Sequence, residues 1–238
     1  MRYVLELPPF SRRLVDSVAP KVGKAFDAVF VPSAPAGVPL LDGLATSIYL
    51  STGFGLRTIF SIRLRDVNLN HVLEKVRVAE DFNLYGVLLT KGDPPKYGVG
   101  RDEMSSEEVL YFIRSMGTKV RLGLVLSLRY PMESIARRLE HGPDFVFVIH
   151  YGPSRREKLR EVCRAASRTS SEVYVFLLLG LDRSKELFNR LNQEYFSYSH
   201  IQEVLEELQG LVGGVVISSP LDIEKVVELA ESIVKPST

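Results

Sequence analysis

Short runs of β-branched and aromatic residues recur along the chain, with amphipathic stretches between them. Eight runs read as strands, at 3–6, 28–32, 58–63, 86–90, 119–126, 145–150, 173–178 and 214–218. Val-Phe-Val-Ile at 146–149 and Val-Tyr-Val-Phe-Leu-Leu-Leu at 173–179 are apolar at every position rather than alternating. This pattern predicts strands covered on both faces. Helical spacing fills the gaps: Val72, Leu73, Val76 and Ala79 recur at helical intervals within 70–81, with charges between them. Ser105-Ser106-Glu107-Glu108 and Ser154 read as N-caps before helices at 109–116 and 157–166, and Asp222 as the cap of a last helix at 223–234. Eight strands, each followed by a helix, predict a closed (β/α)8 TIM barrel forming one domain over residues 1–238. No Gly-x-Gly-x-x-Gly follows the first strand to favour an open doubly wound sheet.

Composition narrows the setting without naming a function. The 238 residues, 45% hydrophobic, are enough to fill one barrel core. With 30 basic and 29 acidic side chains the net charge is +1, which gives no reason to expect nucleic acid or an acidic membrane as partner. Cys163 is the only cysteine, so an intrachain disulfide is excluded and a zinc site would have no second thiolate; no metal site is expected. No run of about 18 uncharged apolar residues occurs, and Glu6 with Pro8-Pro9 interrupts the N-terminus. The expectation is a soluble, unprocessed cytoplasmic protein.

Barrel chemistry sits at the C-terminal ends of strands. Reading those ends in order gives Glu6, Pro32-Ser33, Arg63 with Arg65-Asp66, the Thr90 to Asp93 turn, Ser127, His150-Tyr151, Gly180 and Ser218-Ser219. Gly92 permits a sharp turn and Pro94-Pro95 stiffens its exit, so Asp93 is either a rigidly presented carboxylate beside Lys91 or one member of an ordinary turn. Near the end of an apolar strand, partial desolvation would raise the pKa of Glu6 and poise it as a general acid; the alternative is a solvated rim glutamate. His150 is either a ligand or proton-shuttle residue or a hydrogen-bonded structural histidine. Arg65-Asp66-Val67-Asn68 reads as an internal ion pair with Asn68 or Asp66 as a helix cap, the alternative being that it organises the barrel mouth through charge-assisted hydrogen bonds; Arg137-Arg138 reads as cations at a helix terminus, with a phosphate contact as the sharper alternative. Tyr195, Phe196 and Tyr198 form either a lid or ordinary packing.

Four segments, Glu-Leu-Pro-Pro at 6–9, Arg-Asp-Val-Asn at 65–68, Lys-Gly-Asp-Pro-Pro at 91–95 and His-Gly-Pro-Asp-Phe at 141–145, stand in an order that resembles the methylenetetrahydrofolate reductase family. The resemblance implies an FAD-dependent barrel that reduces a methylene-tetrahydrofolate or tetrahydropterin substrate, with NAD(P)H as a reductant. By position it makes Glu6 and Asp93 catalytic, places Lys91, Gly92, Asp93 and Arg138 at the cofactor, and puts His150 and Tyr151 at the substrate. It also allows a homo-oligomer or a partner subunit. The chain departs from that pattern where Ser61 stands for an expected histidine and Val31 for a threonine, and where the segment 126–130 lacks the family's flavin-lining Tyr and His. A second expectation follows: a non-redox pterin or small-molecule binding barrel, or an accessory subunit, on the same scaffold without FAD.

Overall fold

The computed structural model describes residues 1–234. Eight parallel strands close on themselves: β1 (Arg2–Glu6), β2 (Ala28–Val31), β3 (Thr58–Arg63), β4 (Gly86–Thr90), β5 (Leu122–Ser127), β6 (Phe145–Ile149), β7 (Glu172–Gly180) and, after the two-residue β8 (Phe196–Ser197), β9 (Gly214–Ser218). Strand β9 pairs with both β7 and β1, which completes the (β/α)8 barrel. Around it lie α1 (Arg12–Val22), α2 (Gly43–Phe54), α3 (Leu69–Asp81), α4 (Ser106–Ser115), α5 (Met132–Glu140), α6 (Arg156–Arg168), α7 (Asp182–Arg190), α8 (Tyr198–Leu208), α9 (Ile223–Glu228) and α10 (Ala230–Val234). No helix among the described residues is long and apolar enough to cross a membrane.

The expected elements appear with shifts that have local causes. Strand β5 starts at Leu122 rather than 119, because the Lys119 N–H donates to the Glu80 carboxylate at the end of α3 at 2.7 Å and so stays out of the sheet. Strand β7 runs on to Gly180, where Leu179 and Gly180 pair with β8 beyond the barrel. Ser154 lies in a 3-10 turn, Pro153–Arg155, and does not cap α6. Ser105 does cap α4, in a reciprocal capping box with Glu108. Asp222 precedes α9 without capping it by its side chain, and the expected last helix is divided at Leu229 into α9 and α10.

Two cores follow from strand periodicity. Outward residues such as Leu5, Val29, Leu89, Leu124 and Val148 pack under the helices, while Val4, Phe30, Ile59, Leu88, Phe147, Tyr174 and Val216 fill the barrel interior. Phe30 and Phe147 meet edge to face at 5.1 Å. Gly123 makes room for this crowding, since a Cβ there would stand 2.2 Å from the Phe145 ring. Stepping two residues from an inward position stays inward. From Val4 that step reaches Glu6, from Ile59 it reaches Ser61 and then Arg63, from Tyr174 it reaches Phe176, and from Val216 it reaches Ser218. The polar groups of the mouth are thus the top layer of the interior.

Candidate ligand site at the barrel mouth

Glu6 is 9% exposed and stands at the floor of a cavity of about 480 Å³, with Phe176, Leu178, Phe188 and Pro220 among its walls. The Ser218 hydroxyl donates to its carboxylate. Burial pushes the Glu6 pKa up, against that hydrogen bond, to about 7. The residue is therefore desolvated rather than a solvated rim glutamate, and near neutral pH it is shared between its acid and base forms.

Across the mouth, the chain leaves β6 through a left-handed conformation at His150, φ 62°. His150 Nδ1 lies 2.8 Å from Ser127 Oγ. That hydroxyl also accepts the Arg129 N–H at 3.2 Å, which ties the imidazole to the loop after β5. Burial lowers the His150 pKa, and the charges of Arg129 and Arg155 lower it further against Glu194. A neutral imidazole follows at pH 7. Tyr151 is buried beside it, but its hydroxyl donates to Glu207 at 2.7 Å, so only its ring is available to the cavity.

Arg63, rather than Arg65, organises the rim. Its guanidinium is 4% exposed, pairs with Asp66 at 2.7 Å, and donates to the backbone carbonyls of Ala34 and of Asp93. The loops after β2, β3 and β4 are joined through this one side chain. Gly92 is required there: its φ is 78°, and a Cβ would press within 3.1 Å of the Arg63 guanidinium. Asn68 caps α3 by accepting the His71 N–H at 3.0 Å. Tyr195 stacks on Phe188, Phe196 packs against Tyr151, and the Tyr198 hydroxyl bonds Ser232, so these three residues are packing rather than a lid.

A second, outer cleft of about 770 Å³ lies between Lys91 and the start of α4. Of the residues expected at a cofactor, Lys91 is paired with Asp102, and Arg138 lies 2.7 Å from Glu107 and donates to Ser106 at 2.9 Å. The cleft is lined by five carboxylates (Asp93, Asp102, Glu103, Glu107 and Glu108) against three cations (Lys91, Arg129 and Arg138). A pyrophosphate would meet an excess of negative charge with two of the cations already paired, so these residues do not fit FAD or NAD(P)H. The other usual phosphate position of barrels, beyond the seventh and eighth barrel strands, is occupied from within. The Asp222 carboxylate accepts the Ser184 N–H of α7 at 2.7 Å, and burial of that group is outweighed by the hydrogen bonds of Ser184 and Arg183, which hold its pKa below the ordinary value.

The fold and its mouth define a (β/α)8 barrel with a largely apolar cavity, open at the mouth, over a buried carboxyl. No family model matches the chain, and no curated protein matches it in sequence. Solved structures do. A mutant tryptophan synthase alpha-subunit from Pyrococcus furiosus superposes with a TM-score of 0.67 at 12% identity, covering 98% of this chain and 97% of that one. A second alpha-subunit mutant from the same organism gives 0.66 at 13% identity over 98% and 97%. Ligand-free tryptophan synthase from M. tuberculosis gives 0.63 at 15% identity over 98% and 91%. At such identity the likeness carries the fold alone.

These findings overturn the reductase resemblance. The solved structures named above, which share the whole barrel, are tryptophan synthase alpha-subunits and not flavin-dependent reductases, and FAD, NAD(P)H and the reduction of a methylene-tetrahydrofolate go with that resemblance. Three of the four motifs have work in the barrel itself. Asp66 pairs with Arg63 and Asn68 caps α3; Gly92 and Asp93 seat on Arg63; Gly142 turns at φ 67° after α5, and Asp144 accepts the Leu122 N–H at 2.7 Å.

Proposed function

We propose that this chain is a non-redox barrel that takes a non-phosphorylated small molecule with an apolar body into its mouth, with Glu6 as the acid–base group that faces it. The buried Glu6 at the floor of an apolar cavity is the observation that carries this reading. A carboxyl near half-protonation can both give and take a proton at neutral pH, and the apolar walls that raise its pKa also exclude water from the ligand. Ser218 fixes its orientation, and neutral His150, lining the same cavity, supplies a polar contact on the opposite side. Asp93 stands at the rim.

The test is calorimetry and thermal melting with p-cresol, indole and 6-methylpterin as apolar or flat probes, and glycerol 3-phosphate as the phosphorylated control. Binding of at least one flat probe, weakened in Leu178→Asp, supports the reading. Preference for the phosphate ester, or no binding of any flat probe, overturns it. Assembly with a second chain is part of the same proposal, supported by Tyr111 and Phe112 on α4 and Met116 just after it, all three exposed. A mass by light scattering that stays monomeric at all concentrations would remove a homo-oligomer.

A further inference from the structure

We infer that the ligand of this mouth is a zwitterionic amino acid with an aromatic side chain, an inference that rests on the small-molecule reading above and names its substrate class. The inner cavity and the outer cleft share four lining residues, Asp93, Arg129, Ile149 and His150. Asp93 and Arg129 are the charged pair at this waist, and neither side chain has an ion-pair or hydrogen-bond partner among the described residues. Their charged neighbours are engaged. Asp102 pairs with Lys91, Glu103 with Arg101, Glu107 with Arg138, and Glu108 closes the cap of α4; deeper in, Glu194 pairs with Arg155. One anion and one cation are thus left unpaired where an apolar chamber opens.

Both stand on anchored backbone. The Asp93 carbonyl accepts from Arg63 at 2.7 Å and the Arg129 N–H donates to Ser127 at 3.2 Å, so the charges are presented from fixed loops. A guanidinium suits a carboxylate, which it can grip through two parallel hydrogen bonds, and a carboxylate suits an ammonium. A ligand with only one of these groups leaves the other side chain without a partner. Neutral His150, which lines both cavities beside them, adds no second positive charge. The α-carbon of an amino acid held at Arg129 and Asp93 would direct its side chain inward between Phe176 and Phe188, toward Glu6, which can accept a phenol or ring N–H at the far end.

Calorimetry on the full chain separates this class from the broader reading. The probes are L-tyrosine, 3-(4-hydroxyphenyl)propionate, which lacks the ammonium, tyramine, which lacks the carboxylate, and neutral p-cresol. L-Tyrosine is expected to bind tightest, with each single-charge analogue weaker by about tenfold or more. Asp93→Asn should abolish the preference for L-tyrosine over the propionate, and Arg129→Gln its preference over tyramine. Both side chains are exposed, so melting of the variants should stay near that of the unaltered protein. If p-cresol and the analogues bind as well as L-tyrosine, the zwitterion inference fails while the small-molecule reading stands. If none of the four binds while indole or 6-methylpterin does, the zwitterion inference alone fails; if indole and 6-methylpterin fail to bind as well, both readings fail.

Discussion

Glu6 links stability to pH in a direction opposite to most surface acids. Its folded pKa of about 7 exceeds the ordinary 4.5, so between these values the folded chain retains a proton that the unfolded chain has released. Stability from this group is therefore intact below 4.5, falls as pH rises through the window, and above 7 is reduced by roughly 3 kcal/mol. Glu6→Gln keeps an acceptor for Ser218 and removes the charge. The variant should match the unaltered protein at pH 4.5 and exceed it at pH 8 by about 1–3 kcal/mol, while losing acid–base function. Urea denaturation at several pH values checks this, and a constant difference across pH would sink it. The position of Glu6 was legible because an acid at the end of an apolar strand has few ways to stay wet. Its partner was not: Ser218 lies 212 residues away in sequence, and only barrel closure brings β9 beside β1. Arg65, the expected ion-pair partner of Asp66, shows the same limit. Nothing in local spacing distinguishes it from Arg63, but the inward step from Ile59 does once the strand's start is known.

At the scale of elements, capping read from neighbouring residues holds at Ser105 and Asn68, and fails at Ser154, which is taken into a 3-10 turn, and at Asp222, whose carboxylate serves a different helix. Ser105 and Asn68 precede the helices they cap, whereas Asp222 lies 38 residues from Ser184, whose N–H it accepts. Asp222→Ala should therefore destabilise the protein by about 1–2 kcal/mol at pH 7 through α7 rather than α9. Because the folded pKa of Asp222 is depressed, its contribution is present above the ordinary 3.8 and is lost as pH falls through the lower folded value. Hydrogen exchange should show early α7 amides deprotected and α9 unchanged; protection lost in α9 would contradict the assignment. Arg63 joins three loops in a comparable way. Arg63→Met leaves two carbonyls and Asp66 without their donor, and an expected loss of about 3 kcal/mol should come with faster proteolysis at the loops after β2 and β4. A melting temperature unchanged in Arg63→Met would refute this.

Across the whole molecule, the proposed ligand mouth and a second polar cluster lie at opposite ends of the barrel. The strand pattern made the barrel readable because runs buried on both faces have no polar positions to confuse them, and the intervening helices keep one wet side. The reductase resemblance arose at the other kind of position, in short turns and caps. Those turns answer to barrel geometry, so the same residue types recur where strands and helices are joined. The proposed ligand site is instead gathered from residues 6, 93, 129, 150 and 218, each on a different strand end, and no local motif contains it. The opposite end carries a separate polar cluster: Glu172 accepts from Arg121 at 2.7 Å and from Tyr174 at 2.9 Å and pairs with Arg2, while Tyr85 lies under Arg121 at 4.7 Å. Glu172→Ala leaves two guanidinium groups without their common partner in a half-buried setting, so a loss of about 2 kcal/mol is expected. Since that cluster lies at the strand starts and the cavity at their ends, affinity for p-cresol should remain unchanged in the folded protein. Chemical denaturation together with calorimetry on this variant tests the division directly. A parallel loss of affinity would mean that the interior layers transmit strain from one end of the barrel to the other, and that stability and the ligand site are coupled through Phe147 and Tyr174, whose rings meet at 5.9 Å.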